Sequence, residues 1–347
     1  MEKSSKEFLL NLLNAYSPSG DETNSQRVWL DYVKNFAKVD TDFVGNAYGI
    51  LNPDAEFKVM LAAHIDEIAM IVTKVDEKGY IWFTNSGWLN PKMLPGMKVD
   101  VLGFGGKILK GIVYTSAEKD NAATIENCFI DCGYNDDKKL KKLVRVGDYA
   151  VYRSEPEIIG ENKLVCKALD NKTGAFIIAE VLKKLSKKKL KVGVYAVSTT
   201  GEETNSRGAF TAAARIKPNM ALACDVTFDS AHPGANGSNG AVTLGKGAAL
   251  SIGSPINCKI DELFEKAAKK HKIPYQLEIT ADRTHTDADK IMYSGEGVPV
   301  ALVSLPVKYM HSPVEMADLK DIDTTVDLIA ETLASMSGKE DLRPIKP

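Results

Sequence analysis

Apolar positions in the first segment return every three or four residues among charged ones, over residues 5–15 and again over 22–36. Each stretch predicts an amphipathic helix. The Ser-Pro-Ser-Gly run at 17–20 between them reads as a turn. The pattern then shortens to alternating or brief apolar runs, which predict strands over 39–44, 48–51 and 59–63. From about 70 to 160 it stays β-like, with strands expected over 80–84, 98–102, 107–114 and 149–152, turn residues between them and few helices. From residue 164 onward helix and strand alternate: helix 173–185, strand 192–198, helix 207–214, strand 220–224, helix 261–271, strand 298–304 and helix 319–336. Such alternation places helices on the faces of a sheet. The simplest organisation is one α/β domain made from both chain ends, residues 1–69 and 161–347, interrupted by a small all-β insertion at 70–160.

Composition narrows the function classes. With 347 residues, 44% hydrophobic and 26% charged, the chain has ordinary globular usage, which excludes a disordered, collagen-like or disulfide-scaffold protein. Forty-four Lys+Arg against 46 Asp+Glu leave a net charge of -2, so no overall field favours nucleic acid or an anionic membrane. The lysine-rich runs at 138–142 and 183–191 are broken by Leu140, Leu185 and Leu190 and read as solvated helix faces. Cys128, Cys132, Cys166, Cys224 and Cys258 are scattered, odd in number and free of any CxxC pair, a usage that predicts reduced thiols and a cytoplasmic location. No apolar run approaches the roughly 18 residues of a spanning segment, and the N-terminus lacks the core of a signal peptide.

Candidate chemistry follows the predicted strands. His64 and Asp66 end an apolar run, and residues i and i+2 of a strand share a face, so Asp66 is placed to orient the imidazole while its other nitrogen binds a metal. Alone, this pair is common. Asp170 precedes a predicted helix, where a plain N-cap is the bland reading. Glu202 and Glu203 follow the strand 192–198, and adjacent acids decorate many surfaces; at the carboxyl end of a sheet strand, however, α/β proteins bind ligands. Asp225 and His311 again follow apolar strands. The ordered series H-x-D, D, EE, D, H carries more weight than any single member. The glycines at 103–106 lack the GK[ST] of a phosphate loop, and no GxSxG nucleophile elbow is present.

Two histidines and three carboxylates suit a pair of borderline divalent ions such as zinc or cobalt, whereas magnesium or calcium prefers all-oxygen shells. Two ions about 4 Å apart repel, and one carboxylate normally bridges them. A fourth carboxylate is then free to act as a base.

The series, together with Ser17-Pro-Ser-Gly-Asp-Glu22, His64-Ile-Asp-Glu-Ile68, Ala168-Leu-Asp170, Gly201-Glu-Glu203, Arg207-Gly-Ala209, Asp225-Val226, Tyr309-Met-His-Ser-Pro313 and Glu315, resembles the tetrahedral aminopeptidases of metallopeptidase family 42 over nearly the whole chain. The resemblance implies a zinc-peptidase α/β sandwich of the phosphorylase/hydrolase-like type with an inserted all-β dimerisation domain. It implies that Asp170 bridges two metal ions, that Glu203 and His311 complete one site, and that His64 and Asp225 complete the other. Glu202 would be the general base and Asp66 the partner of His64. It further implies short peptides with a free N-terminus as substrates and dimers building a dodecamer. The gap of 106 residues from His64 to Asp170 (170 − 64) accommodates the β insertion.

Several positions depart from the family pattern. Asn171-Lys172 stands where Asp-Arg is usual, Thr204-Asn205-Ser206 where Val-Gly-Leu is usual, Lys308 where Arg is common, and His285 where Gly is usual. These departures bear on substrate preference and on the surroundings of the ligands. They also raise the alternative of a catalytically weakened peptide-binding or structural module; a metal-independent glycosidase, which would need two opposed carboxylates, is a separate alternative.

Overall fold

A computed structural model describes all residues except 119–121, 236, 238, 239, 346 and 347. The chain opens with helices α1 (Lys3–Asn14) and α2 (Thr23–Val33), whose buried Phe8, Leu9, Leu12, Leu13, Trp29 and Val33 form the predicted apolar stripes. Strands β1 (Lys38–Thr41), β2 (Ala47–Leu51) and β3 (Lys58–His64) follow.

The chain then leaves the sheet to build a closed barrel from β4 (Ala69–Val75), β5 (Tyr80–Ser86), β6 (Lys98–Gly103), β7 (Lys107–Thr115), β8 (Cys128–Asp131) and β9 (Tyr149–Tyr152), with the short helix α3 (Asp137–Leu140). Closure leaves no unpaired edge, and the barrel has its own core of Val72, Ile81, Val99, Val101, Val113 and Ile130, among others.

β10 (Glu157–Ile159) and β11 (Lys163–Cys166) rejoin the large sheet. After them come α4 (Leu169–Leu185), β12 (Gly193–Thr199), α5 (Arg207–Ile216), β13 (Met220–Phe228), β14 (Ala248–Gly253), α6 (Cys258–His271), β15 (Tyr275–Thr280), α7 (Ala288–Ile291), β16 (Val300–Lys308), β17 (Glu315–Asp318) and α8 (Leu319–Ser335). Among the described residues the large sheet has eleven strands. Its main path runs β1-β2-β12-β3-β13-β16-β17-β11-β10, with β14 on β16 and β15 on β14. The four strands β12, β3, β13 and β16 at its centre are parallel.

Burial on both faces explains why these central strands are continuously apolar rather than alternating. In β3, Val59, Leu61 and Ala63 enter the core shared with α1, α2, α4, α6 and α8, while Met60 and Ala62 enter the smaller core under α5 and α7. His64 continues the second series. In β13, Leu222 and Cys224 face the first core and Ala221 and Ala223 the second, so Asp225 emerges on the same face as His64. The parallel register pairs Thr199 with His64 and Asp225 with Ser304, which sets these positions of the four strands at one level, and β13 and β16 run on past it to Phe228 and Lys308. The lysine-rich run at the end of α4 and just beyond it is ion-paired to α8, Lys184 with Asp327 at 2.6 Å and Lys188 with Glu331 at 2.6 Å.

Candidate metal centre

The structure brings all seven sequence-predicted residues to this carboxyl edge. Asp170 lies between the two histidines: His64 Nε2 is 3.1 Å from its Oδ1, and His311 Nε2 is 3.2 Å from its Oδ2. Each carboxylate oxygen thus faces one imidazole. On the first side Asp225 Oδ1 is 3.8 Å from His64 Nε2, and on the second Glu203 Oε1 is 3.5 Å from His311 Nε2. The result is two groups able to hold a metal ion, His64-Asp170-Asp225 and Asp170-Glu203-His311, which share Asp170.

Asp170 and Asn171 sit within the first turn of α4 with non-helical backbone, ψ of 104° and 34°, so the side chain projects into the cluster instead of capping the helix. The N-cap reading is therefore corrected. Two backbone N–H groups fix the ligand loops to one buried carboxylate: Asp170 N–H donates to Glu315 Oε2 at 3.0 Å and His311 N–H to Glu315 Oε1 at 2.7 Å. The sequence pattern includes Glu315 but gives it no role. Asp66 acts similarly on the other side, lying against the ring of His64 with Nδ1 3.5 Å from its Oδ1. It accepts the N–H groups of Glu202 and Glu203 at 3.1 and 3.2 Å and the Ser19 hydroxyl at 2.6 Å.

The electrostatics fit a cationic occupant. Burial pushes the carboxyls of Glu202, Glu203 and Asp225 well above their usual range, and neighbouring acids add to it: Asp225 and Asp287 beside Glu202, Asp170 beside both Glu203 and Asp225. Burial also opposes ionisation of Asp170, but the hydrogen bonds and charges of His311 and His64 hold it well below the usual carboxylate range. Asp287, fully enclosed nearby, is raised by burial to about 7. So many carboxylates cannot ionise together in a buried site without positive charge among them, and divalent ions would supply it. Mixed imidazole and carboxylate donors are those of zinc and its neighbours.

The unusual residues are engaged. Asn171 is fully buried, donates from Nδ2 to the Cys224 carbonyl at 2.9 Å and accepts the Gly174 N–H at 3.1 Å, tying the Asp170 loop to the Asp225 strand. An ionised aspartate has no N–H to give that carbonyl. Lys172 donates to Glu67 Oε1 at 2.9 Å and to the Ala15 carbonyl at 2.5 Å, and Lys167 also donates to Glu67. Burial works against Glu67, yet the charges of the two lysines hold its carboxyl at about 2; burial brings the Lys172 ammonium down to about 8 against the pull of Glu67. This triad beside Asp66 spans 100 residues or more of sequence, and no local motif announces it. Thr204 donates to the Gly201 carbonyl at 3.2 Å, and Asn205 accepts the Arg207 N–H at 3.1 Å. Lys308 lies 3.9 Å from Asp229. His285 has φ of 56°, a left-handed backbone that glycine adopts without strain, and its N–H donates to Asp289 at 2.9 Å. Among the described residues it joins neither metal-compatible group.

Two clefts, of about 670 and 630 Å³, open beside the centre, and Trp88 and His311 line both. The second is also lined by Glu202, Glu203, Thr204 and His285.

A family model described as M42 glutamyl aminopeptidase matches residues 45–328. The lysyl aminopeptidase of Pyrococcus furiosus is 29% identical over 91% of this chain and 91% of its own. The solved aminopeptidase of the archaeon Desulfurococcus kamchatkensis is 30% identical, covers 97% of this chain and 96% of its own, and superposes with a TM-score of 0.91. A TET1 structure described as a dodecamer, 25% identical, covers 97% of this chain and all of its own with a TM-score of 0.86.

Proposed function

Since the chain belongs to the M42 glutamyl aminopeptidase family and is a peptidase hydrolase, we propose that it is a dinuclear metal-dependent aminopeptidase that releases N-terminal residues from short peptides. The observation that carries this reading is the shared carboxylate: Asp170 presents one oxygen to each of two donor groups. Asp170 would bridge the two ions, His64 and Asp225 would complete one site and Glu203 and His311 the other, with zinc or cobalt as the ions. Bound there, such ions polarise a scissile carbonyl and make a water more acidic. The chain's own residues do the rest. Asp66 holds the His64 ring and the Glu202-Glu203 turn in place. Glu202, with Oε2 3.8 Å from His64 Nε2 and a carboxyl of raised proton affinity, takes a proton from the attacking water and passes it to the leaving amine.

A free α-amine anchors the substrate against the acidic cluster, and an acetylated terminus loses that anchor and the orientation it gives. Incubation of a hexapeptide with the zinc- or cobalt-loaded protein should give stepwise loss of single N-terminal residues by mass spectrometry, with the N-acetyl form at least about tenfold slower. Internal cleavage, or equal rates on the blocked peptide, refutes the reading.

The barrel is the subunit-contact domain. The outer face of β7 presents Ile108, Ile112 and Tyr114, each about half exposed, an apolar strip of the kind that partners cover. Dimers assembling into a dodecamer are expected, and multi-angle light scattering should give a mass far above the 37.8 kDa chain at micromolar concentration. A monomer counts against this role. All five cysteines are free thiols, as in a reducing cytoplasm. Among the described residues no helix is long and apolar enough to cross a membrane. The family description and the Pyrococcus relative name side chains of opposite charge, so this chain's preference has to come from its own clefts.

A further inference from the structure

The 670 Å³ cleft beside His311 holds an acid without a counter-charge. Its walls are largely apolar, with Trp88, Met93, Phe228, Val242 and Met310 among them, and Glu278 lines it too. Glu278 lies on β15 opposite Ser251 of β14. Its carboxylate accepts the hydroxyls of Thr227 and Ser251, the latter at 3.2 Å. Thr227 stands two residues after Asp225 on the same face of β13, so roughly 7 Å along the strand separates a residue of the metal centre from the hydroxyl that positions Glu278.

Both hydroxyls are neutral, and no ion pair among the described residues includes Glu278. The other acid of this cleft is already used: Asp229 accepts the N–H groups of Ala231 and Leu244 at 2.9 and 2.8 Å and lies 3.9 Å from Lys308. His232 sets its Nδ1 2.9 Å from the Pro233 carbonyl. A carboxylate has about four acceptor positions, and two hydroxyl donors leave the remainder for a ligand.

Resting on the aminopeptidase reading, we propose that this cleft receives the side chain of the substrate's N-terminal residue and that Glu278 makes it select lysine or arginine. The aliphatic stem of such a residue lies along Trp88 and Phe228, while its charged end meets the carboxylate roughly one side-chain length from the centre. An apolar side chain gains the walls but leaves the acid unpaired; an acidic one meets repulsion.

The test compares lysyl, norleucyl and glutamyl p-nitroanilides with the full-length metal-loaded protein, norleucine being lysine without its ammonium. The expected result is kcat/KM at least tenfold higher for lysyl than norleucyl and lowest for glutamyl. In Glu278→Gln the lysyl-to-norleucyl ratio should fall about tenfold, with circular dichroism and elution volume unchanged, and Glu278→Lys should raise glutamyl relative to lysyl. A wild-type ratio near one, or a ratio that Glu278→Gln leaves unchanged, overturns the assignment while norleucyl hydrolysis upholds the aminopeptidase reading. No hydrolysis of any anilide overturns both.

Discussion

Asp170→Ala is expected to release both metal ions at once and to lower peptidase activity at least about a thousandfold, the scale set by several kcal/mol of lost polarisation at about 1.4 kcal/mol per factor of ten. The expectation follows from position. Asp225 approaches only His64, at 3.8 Å, and Glu203 approaches His311, at 3.5 Å, whereas Asp170 is within 3.2 Å of both imidazoles. Asp225→Ala and Glu203→Ala should therefore each weaken one site more than the other. Removing Asp170 deprives both groups of their common oxygen donor. Metal content after zinc reconstitution and desalting, read by plasma emission, should fall from two ions per chain to fewer than one. Retention of one tightly held ion in Asp170→Ala shows that another residue does the bridging.

The candidate site was legible in the sequence because of how parallel sheets are built. Candidate site residues stand where apolar runs stop, and His64, Asp225 and the Glu202-Glu203 pair each follow a run buried on both faces, so the run itself points to them. What supports them was not legible. Glu67, Lys167 and Lys172 meet across 100 residues or more, and Glu315 reaches Asp170 across 145; a pattern read over a dozen positions carries no trace of such pairings. β15 defeats the period-two rule for a different reason. As the last strand beyond β14 it exposes Leu277 and Ile279 and turns Gln276 and Glu278 inward, an inversion of the usual code. β17 is four residues long and buries two acids, so its composition argues against a strand until its partners β11 and β16 are known. The helical pattern of α4 begins at Thr173, but the helix itself begins at Leu169 with two non-helical residues inside it. Those are the residues that aim Asp170 at the histidines, and local propensity yields there to the needs of the site.

Glu202→Gln separates chemistry from metal binding, and its effect should be the next largest after that of Asp170→Ala. The two neighbouring acids have different surroundings. Glu203 lies within the donor group with Asp170 and His311. Glu202 stands outside both groups, at the wall of a cleft, with its N–H held by Asp66 at 3.1 Å. Burial and the charges of Asp225, Asp287 and Asp66 raise its proton affinity, while His64 opposes them. A carboxylate so placed can take a proton and give it up within one turnover, and a glutamine of the same shape can do neither. Glu202→Gln is expected to keep its metal and its thermal transition yet lose at least about a hundredfold in kcat, the usual contribution of a positioned acid–base group. Glu203→Gln should instead lose metal first, with activity partly recovered at high zinc or cobalt. The two variants are therefore distinguished by titrating metal into each: added ion rescues the second and leaves the first slow. Near-normal turnover in Glu202→Gln moves the proton transfer to another group, and Asp287, buried beside it and held at about 7, is the next to be replaced.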